Sequence, residues 1–372
     1  MGAYLLIGFF ALAITFLATP VVRWTSLRAG FIVQPADRKV HAEPTPTLGG
    51  AAILLGMVGA GLVASMLPFE DFREVFANSS EPLGIAAGGL IIFTLGFVDD
   101  VRDLPAPVKL AGQIFAAGIV YLSGVQARFI PLPDQVISLG ADVSVLVTVG
   151  WLVVIINAVN LVDGLDGLAA GIVAIAASAF FVYTYQLETN QDLYLAPTAP
   201  LLAILIVGSA LGFLRHNFHP AAIFMGDSGA MLFGLVLGAA TVSGVGSVAS
   251  ELSSSTSGVF LAYFPLLIPL AVLALPIADA LLAIVRRARR RRSIFHADKQ
   301  HIHHRLMDLG HGHRQAVLVM YVWSALAAGA GLAFSFLDRD DVIFALPIAV
   351  GAIVLYTLFP LLTKLMQQRP AP

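Results

Sequence analysis

Residues 143–167 read VSVLVTVGWLVVIINAVNLVDGLDG, an apolar run that ends in amides, carboxylates and glycines. A helix that spans a bilayer needs about 20 mostly apolar residues, and this run is of that order. Asn157, Asn160 and Asp163 recur at a spacing of three, so they can share one arc of a helix. The stretch therefore predicts a membrane span with a polar site at its end, although an interfacial turn also explains the glycines.

The whole chain has this apolar character. Of its 372 residues 58% are hydrophobic and 12% are charged, with a mean hydropathy of +0.87. Soluble domains carry about 25% charged residues, so this composition predicts an all-α integral membrane protein. The net charge of -2 argues against nucleic-acid binding through bulk positive charge. The absence of cysteine excludes a disulfide scaffold, a thiol nucleophile and a cysteine-ligated metal or Fe–S site.

The hydropathy pattern predicts about eleven spans in one domain, residues 1–372. With the N-terminus outside, the cytoplasmic side receives all but three of the 21 Lys and Arg residues, the exceptions being Arg73, Arg128 and Arg339. The C-terminus is then cytoplasmic, and residues 127–140 are expected to form a small external β-hairpin. The predicted spans are 2–22, 49–67, 83–98, 107–123, 143–159, 168–185, 198–214, 228–248, 259–285, 316–337 and 342–363.

Acidic residues gather at the cytoplasmic ends of three spans. Asp99, Asp100 and Asp103 end the third span, and we expect Asp99 and Asp103 to share a helix face. The alternative is a solvated loop in which Arg102 balances the charge. Asp166 follows the fifth span, where glycines on either side let the chain turn its carboxylate back toward Asp163.

The remaining polar groups allow a structural and a functional interpretation. Asp227 begins the eighth span and is either a site residue or an N-cap. Phe224 is either an interfacial anchor or a stacking platform. The run Arg286–Arg292 is most simply a topology anchor beside anionic headgroups. Asp279, within the ninth span, is expected to pair with a nearby base.

The acids, amides and basic loops together predict phosphoryl transfer. Carboxylate oxygens favour Mg²⁺, with Mn²⁺ as a second choice, and the Arg and His residues suit a phosphorylated substrate. No P-loop is present, which argues against an ATP-driven pump. An ion-coupled transporter is the rival, but it would place acids near mid-span and on both sides. A scaffolding protein would not need these motifs. The six acids at span ends are Asp99, Asp100, Asp103, Asp163, Asp166 and Asp227.

Four motifs resemble those of the polyprenyl-phosphate N-acetylhexosamine-1-phosphate transferases, the glycosyltransferase family 4. The resemblance extends from the Arg38–His41 and Pro44–Pro46 segments to the HIHHRL loop. An aspartate at position 103, where the branch that uses UDP-MurNAc-pentapeptide typically has lysine, favours the branch that uses UDP-GlcNAc. The motifs are FVDDVRD (97–103), NAVNLVDGLDGL (157–168), FMGDSG (224–229) and HIHHRL (301–306).

The resemblance implies roles for these residues. Asp227 would hold Mg²⁺ on the diphosphate of UDP-GlcNAc, with Asn160 or the Asp99–Asp100 pair completing the metal site. Asp99, with Asp100 as its partner, would orient or activate the lipid phosphate. Asp163 and Asp166 join them in the catalytic group. Asn217, Asp163 and a stacking Phe224 would hold uridine. The sugar and diphosphate would contact His303, His304 and Arg305, and the other substrate-binding residues would be Lys39, His41, Thr45 and Asp103.

The expected activity is transfer of GlcNAc-1-phosphate to an undecaprenyl or decaprenyl phosphate, an early membrane step of cell-envelope polysaccharide synthesis. Another UDP-HexNAc or UDP-MurNAc-pentapeptide remains an alternative donor. The expected setting is the bacterial inner membrane, with contacts to lipid and none to nucleic acid; the sequence allows a homodimer without deciding the oligomeric state. The loops expected to form the active site are 23–48, 99–107, 160–167, 215–227 and 286–315.

Overall fold

A computed structural model describes residues 1–33, 44–132, 135–190, 197–252, 264–289, 306–307, 309–337 and 339–367. In these ranges the chain is a bundle of helices with two small antiparallel sheets. The helices are α1 (Gly2–Ala29), α2 (Gly49–Met66), α3 (Glu70–Asn78), α4 (Glu81–Arg102), α5 (Ala106–Leu122), α6 (Ala141–Val162), α7 (Leu168–Asn190), α8 (Thr198–Asn217), α9 (Gly226–Leu252), α10 (Phe264–Arg289), α11 (His313–Phe336) and α12 (Arg339–Gln367).

Nine helices in the described part of the chain are long and apolar enough to cross a membrane. They are α1, α2, α4, α6, α7, α8, α9, α11 and α12, and the shorter apolar helices Ala106–Leu122 and Phe264–Ala274 coincide with the other two predicted spans. The protein is therefore a multi-pass, all-α membrane protein, as the composition predicted.

Two local features were not expected. Helix α3 lies between the second and third predicted spans and buries Phe72 and Val75 from an otherwise charged surface. The strands β1 (Ile32–Val33) and β2 (Thr45–Pro46) pair across the connection from α1 to α2. Within the segment expected to form a hairpin, β3 (Phe129–Leu132) pairs antiparallel with β4 (Gln135–Ser138).

Helix α9 is the centre of the bundle. Residues 228–245 of this helix are all buried, and α4, α6, α8 and α2 pack around it. The peripheral helices differ, since α12 exposes Phe344, Ile348 and Leu355 to the surroundings. This arrangement places the N-terminus of α9, where Asp227 lies, among the ends of its neighbours.

Small residues and polar side chains join the helices. A Cβ on Gly96 would collide with the backbone of Asp227 and Ser228, so a glycine at this position lets α4 approach the start of α9. Trp151 Nε1 donates to Thr241 Oγ1 at 2.8 Å between α6 and α9. Asn157 is bound to Gln113 of α5, with Nδ2 and Oε1 2.7 Å apart, so this asparagine joins two helices.

Candidate active site

The ends of α4, α5 and α9 bring two aspartates to one lysine. Asp99, in the last turn of α4, forms an ion pair with Lys109 of α5, and Lys109 Nζ also lies 3.3 Å from Asp227 Oδ2 in α9. The carboxylate of Asp99 is buried and also accepts a bond from the amide of Leu104 at 2.7 Å. Lys109 therefore bridges carboxylates that lie 128 positions apart in the chain.

Asp100 fixes the start of α9. Its carboxylate accepts the backbone N–H of Asp227 at 2.8 Å, the N–H of Ser228 at 3.3 Å and the hydroxyl of Ser228 at 2.9 Å. The first N–H groups of a helix have no partner within it, and a carboxylate there also suits the helix dipole. Asp100 of α4 thus supplies the side-chain cap that the sequence suggested Asp227 and Ser228 would supply themselves.

The end of α6 adds an amide and a further acid. Asn160 lies beside the Asp227 carboxylate, and its side-chain Nδ2 is buried there. Asp163 follows as the C-cap of α6. Burial, with smaller contributions from the charges of Asp227, Asp100 and Asp166, raises the pKa of the Asp163 carboxyl to about 8. The shift thus reflects chiefly the burial of Asp163 and, to a smaller extent, the nearby acids.

Asp166 lies in a second arrangement, between α7, α8 and α11. Its Oδ2 accepts bonds from His219 Nδ1 at 2.7 Å and from the amide of Ala221 at 3.1 Å. The ring of His219 stacks on that of His313, with centroids 4.0 Å apart. One ligand atom from each of Asp166, His219 and His313 lies within 4.8 Å of the others. Asp166 thus holds the loop after α8 in place.

The side chain of Asn217 links two loops through hydrogen bonds. Its Oδ1 accepts the amide of Gly167 at 3.0 Å, and its Nδ2 donates to the carbonyl of Ile223 at 2.9 Å. Gly167 has φ of +79°, a conformation that favours glycine, and its carbonyl accepts the hydroxyl of Tyr321. The amide of Asn217 is therefore engaged by the backbone, and its contact with uridine stays a prediction.

The backbone of Phe224 joins the same region to the segment before α2. Its N–H donates to the carbonyl of Pro46 and its carbonyl accepts the N–H of Gly49, both at 2.9 Å. Thr45 is buried in β2, next to this junction. These contacts place Phe224 and Thr45 near the start of α9. Their roles toward substrate stay predictions.

The structure corrects one detail and leaves others undescribed. Asp103 does not share a helix face with Asp99, because α4 ends at Arg102 and Asp103 adopts a left-handed conformation with φ of +51° before Leu104 and Pro105. Asp103 is exposed. Outside the described residues, or with undescribed side chains, are Lys39, His41, His303, His304, Arg305 and Asp279.

Sequence reasoning missed Lys109 as a site residue and counted it only as one cytoplasmic base. A signal was available, since Lys109 begins an otherwise apolar span and precedes Gln113 by four residues, on the same helix face. Among the described residues, Lys109 is the cation that contacts this group of acids. We call Asp99, Asp100, Asp163, Asp227, Asn160 and Lys109 the acid cluster.

Comparison with known proteins agrees with the motifs. Residues 82–245, which include the acid cluster, match the family model for glycosyl transferase family 4. A decaprenyl-phosphate N-acetylglucosaminephosphotransferase of Mycolicibacterium smegmatis is 41% identical over 364 residues, 96% of this chain and 89% of that protein. A probable undecaprenyl-phosphate N-acetylglucosaminyl 1-phosphate transferase of Bacillus subtilis is 38% identical over 306 residues, 82% of this chain and 77% of that protein.

A more distant similarity covers less of the chain. A phospho-N-acetylmuramoyl-pentapeptide-transferase of Bacillus licheniformis is 34% identical over 228 residues, 56% of this chain and 64% of that protein. The longer and closer matches are thus to proteins named for N-acetylglucosamine. Because similarity at 41% identity extends over nearly the whole chain and the matched region contains the acid cluster, this chain belongs to glycosyl transferase family 4.

Proposed function

We propose that the protein transfers GlcNAc-1-phosphate from UDP-GlcNAc to a polyprenyl phosphate. An oxygen of the lipid phosphate attacks the β-phosphorus of the donor and forms a new P–O bond. The bond from that phosphorus to the oxygen bridging to the α-phosphorus breaks, and UMP leaves with the electron pair. The products are polyprenyl-diphosphate-GlcNAc and UMP.

The observation that carries this proposal is the acid cluster itself. Four carboxylates of Asp99, Asp100, Asp163 and Asp227 approach one another with Lys109 between two of them. Ionising so many acids in a partly buried site is costly, as the raised pKa of Asp163 shows, and a bound cation would lower that cost. A cation among carboxylates at the end of a membrane bundle suits a phosphate substrate on a lipid. The names of the two most similar kinds of relative agree with that substrate class.

The donor set of the acid cluster fits Mg²⁺. Asp227 and Asp99 offer hard carboxylate oxygens, and Asn160, which lies beside the Asp227 carboxylate, offers the oxygen of its side-chain amide. Asp227 with Asn160, and Asp99 beside them, would hold the ion. When bound, the ion neutralises charge on the diphosphate and so stabilises phosphoryl transfer.

The residues of the chain perform the remaining work. Lys109 holds Asp99 and Asp227 at a fixed separation and adds a positive charge next to the phosphates. Asp100 sets the position of Asp227 through the backbone of α9. A phosphate monoester is largely ionised near neutral pH, so Asp99 is needed chiefly to position the lipid phosphate. This single displacement competes with a route through an aspartyl-phosphate, in which a carboxylate attacks first.

The acid cluster is proposed to face the cytoplasm of a bacterial cell. The support is the distribution of Lys and Arg, which collects on the side of the cluster in the predicted topology. UDP-sugars are then supplied from the same side, and the lipid phosphate enters from the inner leaflet.

A turnover assay tests the proposal. Purified protein in detergent is given Mg²⁺, undecaprenyl phosphate and a panel of UDP-GlcNAc, UDP-GalNAc and UDP-MurNAc-pentapeptide, and UMP release is followed. We expect turnover with UDP-GlcNAc, dependent on lipid phosphate and abolished by EDTA. Absence of turnover with every donor would refute the function, and a preference for another donor would refute the assignment of the sugar. UMP release without any lipid acceptor would instead favour the aspartyl-phosphate route.

A further inference from the structure

A groove rich in basic residues lies outside the acid cluster and shares no residue with it. It has a volume of about 600 Å³ and lies between the end of α8, the following loop and the start of α11. No acidic residue is among the described residues that line it. We call it the basic groove; the lining residues used below are Leu211, Leu214, Arg215, His216, His219 and Arg314.

Hydrogen bonds to other parts of the protein hold the walls of the basic groove in place. Arg314, which lines the groove, donates from Nε to the carbonyl of His219 at 2.9 Å, and its other guanidinium nitrogens make no hydrogen bond within the described residues. His216 contacts the carbonyl of Phe16 in α1 at 3.1 Å, and His219 is held by Asp166. Arg215 is exposed, and no hydrogen bond or ion pair engages it within the described part of the chain. The groove thus presents two guanidinium groups from two helices.

The floor of the basic groove is apolar and continues outward along α8. Leu214 adjoins Arg215, and Leu211 lies one turn before Arg215 on the same face. The side chain of Leu211 is 44% exposed on a helix that is otherwise mostly buried. A ligand for this groove therefore has an anionic part at the end of α8 and an apolar part that follows Leu211 toward the hydrocarbon.

A neighbouring helix end marks the level of the membrane surface. Trp24 of α1 is 52% exposed, and the guanidinium carbon of Arg28 lies 3.8 Å from the centroid of its ring. Exposed tryptophans and arginines of this kind concentrate at the boundary between headgroups and hydrocarbon. Arg23, next to Trp24, donates to the carbonyl of Ala222 beside the basic groove at 3.0 Å. The groove therefore lies at the headgroup level.

We propose that the basic groove binds the headgroup of an anionic phospholipid, with its phosphate on Arg215 and Arg314 and its acyl chains along Leu211 and Leu214. Basic pockets between membrane helices bind anionic headgroups through this combination of charge and apolar contact. The loop after α8 separates the groove from the acid cluster, because the far part of this loop pairs with Pro46 and Gly49 instead. The site is thus distinct from the one proposed for the two substrates, and it does not depend on that function.

Native mass spectrometry of the delipidated, detergent-purified full chain tests the inference without substrates. The probes are phosphatidylglycerol and phosphatidylcholine with identical acyl chains, each titrated separately. We expect one phosphatidylglycerol to bind in preference to phosphatidylcholine. Loss of one arginine near a headgroup weakens binding by about five-fold, so Arg215→Gln and Arg314→Gln should each show this loss. Arg314→Lys should retain most of the affinity.

Arg28→Gln is the matched control, since it removes one exposed positive charge at the same end of the bundle but outside the groove. We expect it to change the affinity for phosphatidylglycerol by less than two-fold. Equal binding of the two lipids, or equal losses in Arg28→Gln and Arg215→Gln, would overturn the inference. Displacement of phosphatidylglycerol by undecaprenyl phosphate or by UDP-GlcNAc at lower concentration would also overturn it, because the groove would then be a substrate subsite. Thermal melting of each variant identifies any that is misfolded. Arg215 makes no hydrogen bond within the described residues, so Arg215→Gln carries the test if Arg314→Gln is misfolded.

Discussion

Asp99 and Asp166 are both 5% exposed aspartates at the same end of the bundle, yet their surroundings are opposite. Asp99 and Asp227 both contact Lys109, and the acid cluster contains four aspartates but one lysine. Asp166 instead accepts hydrogen bonds from a histidine and a backbone amide. The comparison teaches that two equally buried aspartates can have unlike partners. What separates the two is that Asp99 shares a lysine with a second aspartate, whereas Asp166 binds a histidine and the backbone.

The largest loss of turnover is expected in variants that neutralise an aspartate of the acid cluster. Asp227→Asn and Asp99→Asn should each lower turnover by about 10³-fold or more, because each removes a charge from the site that positions phosphates. UMP release by the purified variants measures the effect. Asp142→Asn, an exposed acid in the first turn of α6 at the opposite end of the bundle, is the control and should keep wild-type turnover. Near wild-type turnover in Asp227→Asn would remove Asp227 from the reaction.

Lys109→Gln should lower turnover by about 10²-fold, an effect typical of losing one electrostatic contact to a transition state. It should also lower the melting temperature, since the buried Asp99 loses its partner. Lys109→Arg keeps the charge and should recover stability more than turnover, because the guanidinium differs in shape from the ammonium. A Lys109→Gln protein with normal turnover and lowered stability would show that the lysine only supports the fold.

Asp166→Asn should lower turnover by only a few-fold, in contrast to Asp99→Asn. An asparagine oxygen can still accept the bonds from His219 and Ala221, so the loop keeps its position. Asp166→Ala leaves those donors without a partner and should cost about 1–3 kcal/mol of stability. Turnover and thermal melting of both variants separate the two roles. A loss in Asp166→Asn as large as that in Asp99→Asn would erase the distinction drawn between the two aspartates.

The smallest effect concerns pH and Asp163. Its carboxyl has a pKa of about 8 when folded, above the ordinary value of 3.8, so the folded state holds a proton that the unfolded state releases. Stability should therefore fall as the pH rises from about 4 to about 8, and this contribution is lost above the folded pKa. In EDTA the melting temperature should drop by a few °C over this range.

Asp163→Asn is the matched variant for that measurement, since it cannot ionise. Its melting temperature should depend less on pH than that of the wild type. Mg²⁺ should raise the melting temperature of the wild type most at pH 8, where the acids are most fully charged. Parallel pH profiles for the two proteins would show that Asp163 keeps one protonation state throughout.

Local sequence predicted the membrane helices, because a run of about 20 apolar residues leaves few alternatives in a bilayer. It also predicted that Gly167 turns the chain before α7, since the glycine permits the φ of +79° found there. Helix α3 was missed because it is short and amphipathic. The burial of its two apolar residues depends on helices that are distant in sequence.

The four aspartates and the asparagine of the acid cluster were predicted from the sequence, but Lys109 and the contacts between these residues were not. Asp99, Asp163 and Asp227 stand out as acids at the ends of apolar runs, which is a property of local sequence. That Lys109 joins Asp99 to Asp227, or that Asp100 binds the amides of α9, depends on how three distant helices meet. Asp103 shows that local spacing can also mislead. Its spacing of four from Asp99 suggested a shared helix face, but the helix ends at Arg102 and Asp103 adopts a left-handed conformation.

The bond from Asp100 to the start of α9 makes the spacing of the reacting groups a property of the backbone. Asp99 precedes Asp100 in α4, and the amide that Asp100 binds belongs to Asp227. The spacing of the two acids is therefore set by this contact between α4 and α9 as well as by the side chain of Lys109 that bridges them. We expect the loops around this contact to tolerate changes in length and composition, because the contact joins two helices and includes no loop residue.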